Sequence, residues 1–124
     1  LYGAYPVKRG SGDRGAIRAA LNALTEGWIV GVFLEGTRTP DARINNPKLG
    51  AAMIAAKSQA PILPISLWGT EKILKKGSSV PQRVPVTLRI GEIIPPPVTS
   101  KREELERVTQ ECQRQINAMH DLGR

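Results

Sequence analysis

Residues 28–41 read WIVGVFLEGTRTPD: seven apolar or small residues in succession, then a glutamate, a glycine, a threonine and an arginine. A continuous apolar, β-branched run is the pattern of a strand covered on both faces, as in a parallel sheet, where neither side meets water. Trp28–Leu34 is therefore expected to be such a strand, with Phe33 in the core. Its abrupt end in charge marks the carboxyl edge, where open α/β sheets bind their ligands.

The segments on either side repeat the alternation of strand and helix. Upstream, GAYPVKR (residues 3–9) reads as a short strand running into the turn cluster GSGDRG. A helical pattern follows from Asp13, with Ile17, Ala20, Leu21 and Leu24 on one face, Arg14, Arg18 and Asn22 on the other, and a stop at Gly27. Downstream, KLGAAMIAAKSQ (residues 48–59) is an Ala-rich helix ending before Pro61, and PILPISLW is a third strand. The polar, basic connection GTEKILKKGSSVPQR leads to VPVTLRIGEII, whose Val86, Leu88 and Ile90 alternate with Thr87 and Arg89 like a half-exposed edge strand. After PPP, Ser100 and Glu103 have capping-box spacing, and the helix they open carries Leu105, Val108, Cys112, Ile116 and Met119 as one apolar stripe. The β-α-β-α-β order predicts an α/β fold: a mostly parallel sheet of at least three parallel strands with flanking helices.

A length of 124 residues fits one domain, and 40 % hydrophobic with 23 % charged residues places it among folded rather than disordered chains. The chain opens mid-pattern at Leu1 in LYGAYPV, so a fragment whose N-terminal part is missing is expected. No apolar run approaches the roughly 18 residues of a spanning helix, which makes any membrane contact by these residues peripheral. Cys112 is the single cysteine, which rules out an intrachain disulfide and a cysteine metal cluster and suits the cytoplasmic side. A net charge of +7 and a pI of about 10.1 imply acidic partners: nucleic acid, anionic lipid headgroups or phosphorylated small molecules.

Two expected strand ends carry arginine. Arg9 precedes a glycine-rich turn and a helix start, and Arg38 follows Gly36, which places two basic, glycine-loosened loops on one rim. Glycines admit backbone N–H groups to a ligand, and guanidinium forks match phosphate oxygens, so the natural ligand is a phosphate monoester. Glu35 would repel that anion and is read instead as orienting Arg38 or accepting a hydrogen bond from a substrate hydroxyl. RGSGDRG alone is equally a flexible turn with solvated charges, and it matches neither GxGxxG nor GxxxxGK[ST]. Lys48 reads either as solvated or as part of the site, Cys112 as a small core residue, and His120, beside Asp121, as solvated. No Ser-His-Asp, Cys-His or metal-ligand spacing occurs, so no catalytic residue and no metal site is expected. Either the function is binding, or the catalytic group lies upstream of Leu1.

These residues resemble the glycerolipid acyltransferases, specifically the bacterial-type 1-acyl-sn-glycerol-3-phosphate acyltransferases. The family's second motif is similar to Gly3, Tyr5, Val7 and Arg9. Its third, Phe-Pro-Glu-Gly-Thr-Arg, is similar to Phe33, Glu35, Gly36, Thr37 and Arg38, with Leu34 in place of the proline. The fourth, a Val-Pro-Ile-x-Pro strand, looks like Pro61, Ile62 and Pro64, with Ala60 in the valine position. Lys48 looks like the lysine of a Phe-Lys-x-Gly stretch, with Pro47 where the phenylalanine would stand. The match spans roughly residues 3–94, and the first motif, His-x-x-x-x-Asp, is absent from these 124 residues.

The resemblance implies that residues 1–124 are a single partial acyltransferase domain, the C-terminal portion of that fold, with residues 99–124 as its C-terminal helix. It implies that Arg9 and Arg38, with Glu35, Gly36, Thr37 and Lys48 around them, hold the acceptor phosphate. Pro61, Ile62 and Pro64 are assigned to an acyl-donor or structural motif. The implied reaction moves a fatty acyl group from acyl-CoA or acyl carrier protein, the co-substrate, to lysophosphatidate, and gives phosphatidate. No cofactor is implied. The missing motif supplies the general base and its orienting carboxylate, so this stretch alone is expected to bind and not to turn over. The implied location is the cytoplasmic face of a membrane, peripheral or anchored through the missing N-terminal part, with the basic charge meeting an anionic surface. The rival reading is a basic α/β module that binds anionic lipid or nucleic acid without chemistry. Nucleic acid is not expected, because Trp28 and Phe33 are assigned to the apolar run and few aromatics remain to stack on bases. A nucleotide-binding enzyme half is disfavoured by the lack of a glycine fingerprint.

Overall fold

The computed structural model describes residues 14–35, 43–69 and 85–124. Its elements are α1 (Arg14–Thr25), α2 (Gly50–Ser58), β1 (Ile65–Trp68), β2 (Thr87–Ile90) and α3 (Arg102–Asp121).

Helix α1 ends by a mechanism visible in its sequence. The Gly27 amide donates to the Leu24 carbonyl at 3.1 Å and the Trp28 amide to the Ala23 carbonyl at 3.0 Å, two bonds that need the residue just past the helix in the left-handed region. Gly27 has φ +92°, which costs a glycine nothing. Ala20 on the predicted face is buried. Helix α2 closes on Gln59, also left-handed at φ +55°. Its side-chain amide compensates by donating to the Ala56 carbonyl at 2.7 Å and to that of Pro97 at 3.0 Å.

The core lies between α2, α3 and the chain that borders them. Leu34, Ala52, Ala56, Ile94, Leu105, Val108 and Cys112 are buried together. The α2 face contributes alanines, which let its backbone approach α3 closely, while α3 contributes the volume. Burying a leucine such as Leu105 is worth roughly 1.5–3 kcal/mol, so the α3 stripe is the main apolar anchor of this half of the molecule.

Strands β1 and β2 pair antiparallel, with Ile65 opposite Ile90, Ser66 opposite Arg89, Leu67 opposite Leu88 and Trp68 opposite Thr87. An isolated antiparallel bridge, Ile62 with Ile94, extends the pairing. The α/β composition is as expected, and the strand expected at residues 3–9 lies outside the described residues. Two particulars of the sheet differ. Residues 28–34 carry no ladder among the described residues, and Ile29 and Phe33 are 97 % and 82 % exposed, so Phe33 is not in the core and only Leu34 of the run is buried. The third strand is present, yet its described neighbour runs antiparallel rather than parallel.

In the edge strand, whose alternation is as expected, the apolar set lies on the open face. Leu88 and Ile90, with Ile65 and Leu67 opposite, point outward and are exposed. The alternate set, Ser66, Thr87 and Arg89, lies on the other face, where Ser66 is buried. Arg89 Nη1 donates to the Met119 carbonyl at 3.3 Å and also to that of Gly123, so a cation completes the carbonyl end of α3 where the helix dipole is negative.

Helix α3 begins later than the capping-box spacing suggests. Lys101, extended at φ −64° and ψ 141°, is its N-cap and makes no side-chain cap bond. Ser100 therefore stands one position too early for its hydroxyl to take that role. The positive end of the helix is met instead by Glu103 and Glu104 in the first turn. Arg102–Glu106, Arg107–Glu104 and Arg114–Glu111 pairs cover its solvent face. Among the described residues no helix is long and apolar enough to cross a membrane.

Candidate functional site

The family-type motif lies where Leu34, the last buried residue of the apolar run, meets Glu35. The Leu34 carbonyl accepts from the Lys48 amide at 2.8 Å, so the thirteen residues between them in sequence start and end at one hydrogen bond. One carboxylate oxygen of Glu35, Oε1, accepts from the Asn46 amide at 2.7 Å and from the Asn45 amide. The loop that leaves at Glu35 is thus gripped by Glu35 on its return. No feature of the sequence identifies Asn45 and Asn46 as partners, since the bonds involve their backbone amides and any non-proline residue could supply them.

The returning segment of this loop is held from behind. Asn117 Oδ1 accepts from the Ile44 amide at 2.8 Å, Asn117 Nδ2 donates to the Ile44 carbonyl at 2.9 Å, and Gln113 Nε2 donates to the same carbonyl at 2.8 Å. Arg43 forms an ion pair with Asp121. Lys48 itself sits at the mouth of this loop with its side chain exposed, one residue before Leu49, which packs against the core. A depression of about 280 Å³ is lined by Pro47, Leu49, Thr109, Gln110 and the Arg102–Glu106 pair, and Lys48 is not among its lining residues.

The other site residues expected from sequence divide as follows. Arg9, Gly36, Thr37 and Arg38 lie outside the described residues. Pro61, Ile62 and Pro64 run along the sheet border: Ile62 exchanges both backbone bonds with Ile94 at 2.9 and 2.8 Å. Pro64 is fully buried, and its carbonyl accepts from the Gly91 amide at 2.8 Å. A Cβ at Gly91 would stand 2.4 Å from Gln115 Oε1, so a side chain there would displace the Gln115 carboxamide that accepts from the Glu92 amide at 2.9 Å. The Pro61–Pro64 stretch is therefore tied to α3 through one glycine. No cluster of metal-ligating side chains occurs among the described residues. Cys112 is buried in the core, where burial first and the Glu111 charge second push its thiol up to about 11, the character of an inert packing residue.

A family model described as Acyltransferase matches residues 1–68, a range that takes in Glu35 with its backbone partners Asn45 and Asn46 and the Pro61–Pro64 stretch. The chain belongs to that family. Among its relatives, it is 38 % identical over 80 residues to a chloroplastic 1-acyl-sn-glycerol-3-phosphate acyltransferase of Brassica napus, covering 63 % of this chain and 23 % of that protein. It is 37 % identical over 78 residues to the 1-acyl-sn-glycerol-3-phosphate acyltransferase of Bacillus subtilis, covering 60 % of this chain and 38 % of that one. Its fold is similar to the crystal structure of PlsC, the 1-acyl-sn-glycerophosphate acyltransferase of Thermotoga maritima. The TM-score is 0.68 at 35 % identity, over 84 % of this chain and 44 % of that one. The chain thus spans less than half the length of each of these relatives.

Proposed function

We propose that the protein transfers a fatty acyl group from acyl-CoA or acyl carrier protein to the free hydroxyl of 1-acyl-glycerol-3-phosphate, forming phosphatidate. The observation that carries this reading is the closed Glu35 loop: its clamp brackets the Gly36-Thr37-Arg38 stretch, in a chain whose relatives are named for that reaction. In the transfer, the acceptor hydroxyl loses its proton to a base as its oxygen attacks the thioester carbonyl. The tetrahedral oxyanion collapses, the C–S bond breaks, and the thiolate leaves with a proton to complete the balance. These 124 residues contain no His-x-x-x-x-Asp stretch; their one histidine, His120, is followed by Asp121 near the last residue, Arg124. What they offer is the acceptor side: Arg9 and Arg38 for the phosphate, with Lys48 at the loop mouth as a further cation.

A net charge of +7 supports work at an anionic membrane surface, where each basic residue close to the headgroups adds about 1 kcal/mol of attraction. We place the protein at the cytoplasmic face on that ground.

Acyl transfer by the protein as its gene encodes it is the test, with lysophosphatidate as acceptor and acyl-CoA and acyl carrier protein each tried as donor. Phosphatidate should form with at least one donor. Absence of product with both, alongside salt-sensitive binding to anionic vesicles, would leave a binding module and overturn the reading. Within an active enzyme, Arg38→Ala should raise the acceptor KM by roughly tenfold to a hundredfold, the loss of a charge-assisted phosphate contact. An unchanged acceptor KM removes Arg38 from the phosphate site.

A further inference from the structure

We propose that helix α3 is a positioning element for the Glu35 loop, acting through Gln113 and Asn117, which staple the Ile44 backbone and so fix the far end of the loop relative to Leu34. The proposal deepens the acyl-transfer reading and rests on it for its kinetic arm.

Three sets of bonds bracket residues 36–42. At the near end, the Leu34 carbonyl takes the Lys48 amide and Glu35 Oε1 takes the amides of Asn45 and Asn46. At the far end, both backbone groups of Ile44 are bound by side chains of α3, with Asn117 presenting its carboxamide as a neighbouring strand presents a peptide group. Gln113 adds a second donor to the same carbonyl. Gln113, Asn117 and Asp121 recur every four residues, so they share one flank of α3, a row beside the apolar stripe of Leu105, Val108 and Cys112. Asp121 continues the row to Arg43. The Ile44 side chain packs against the core, which takes its backbone partly out of water and makes partners for that backbone obligatory.

The physical consequence concerns placement. The bonds hold Glu35, Ile44 and Lys48 in fixed relation to one another, and small misplacements of a binding group are costly to a reaction. Residues 102–121 lie outside the stretch matched by the family model, so the helix supplies support that the motif does not contain.

The experiment compares Asn117→Ala, Gln113→Ala and Val108→Ala in the protein as its gene encodes it. Val108 lies on the apolar stripe and is fully buried, so its truncation lowers stability without touching Ile44 bonds. Hydrogen–deuterium exchange over residues 43–49, read by mass spectrometry, should be roughly tenfold faster in Asn117→Ala than in Val108→Ala, with Gln113→Ala smaller. The acceptor KM should rise several-fold in Asn117→Ala while the donor KM holds, and Val108→Ala should leave both near wild type. Equal exchange in Asn117→Ala and Val108→Ala, or faster exchange with an unchanged acceptor KM, overturns the proposal. A wild-type enzyme that makes no phosphatidate sinks the functional reading instead, and the exchange comparison then decides the staple alone.

Discussion

Two apolar surfaces of similar composition meet opposite fates in this molecule. One, made by Leu105, Val108 and Cys112 of α3 with Ala52, Ala56, Leu34 and Ile94, is closed from solvent. The other, made by Ile65, Leu67, Leu88 and Ile90 on the outer face of β1 and β2, is open, and Trp28, Ile29 and Phe33 are open as well. Both consist of aliphatic side chains at regular spacing, so hydrophobicity alone does not separate them. The difference is whether another element of the chain lies across them. Apolar faces of such breadth on a folded protein mark places built to be covered.

The comparison is broken most forcefully at the buried surface. Leu105→Ala removes a side chain 3 % exposed from the centre of the α2–α3 contact and should cost about 2–5 kcal/mol, the transfer loss plus a cavity. Chemical denaturation gives the value, and a loss below about 1 kcal/mol would mean that this surface is as open as the other. Cys112 probes the same surface by a different route. Its folded pKa of about 11 lies above the unfolded thiol value of about 8.5, so the folded state holds the proton longer. Stability from this group is complete below the unfolded value and declines as pH rises through about 11. Native protein at pH 8 should therefore react slowly with a thiol reagent and fully only in denaturant, whereas rapid native labelling would place Cys112 at a surface.

The legibility of the fold follows the same division. Helices were readable because period-3.6 spacing names the residues that share a face, and a helix has one stripe to bury. Ala20, Leu105, Val108 and Cys112 are all buried on the predicted faces. Strand spacing names two faces but not which of them is covered, since a period of two is symmetric under exchange of sides. Hence Val86, Leu88 and Ile90 were grouped correctly and turn out to face solvent, while Arg89 turns in to the α3 carbonyls. The apolar run at Trp28–Leu34 suggested a doubly covered strand for the same reason: burial of a strand is decided by its neighbours. At the site, the Glu35 motif was conspicuous because charge follows the run abruptly. Its partners were not, because Asn45, Asn46 and Ile44 contribute backbone groups, and Gln113 and Asn117 look like ordinary polar positions on a solvated flank. Ser100 and Glu103 have capping-box spacing, but that spacing does not encode the backbone direction that brings a hydroxyl to the helix, and Lys101 is the N-cap.

The smallest effect is expected on the open surface, and it is the most discriminating. Leu88 is 56 % exposed and stands opposite Leu67 on the outer face. Leu88→Ser removes one cross-strand apolar pair, worth about 0.2–1 kcal/mol, and opens no cavity. Measured in the same length of chain as wild type, the stability should shift by no more than about 1 kcal/mol, and solubility should improve as the apolar face shrinks. In the protein as its gene encodes it, the same substitution reads whether that face is covered. A loss there approaching that of Leu105→Ala means a second packed layer over β1 and β2, so that the two apolar surfaces are both interior and differ only in which part of the polypeptide buries them. A loss that stays near zero means the outer face remains in contact with solvent or lipid.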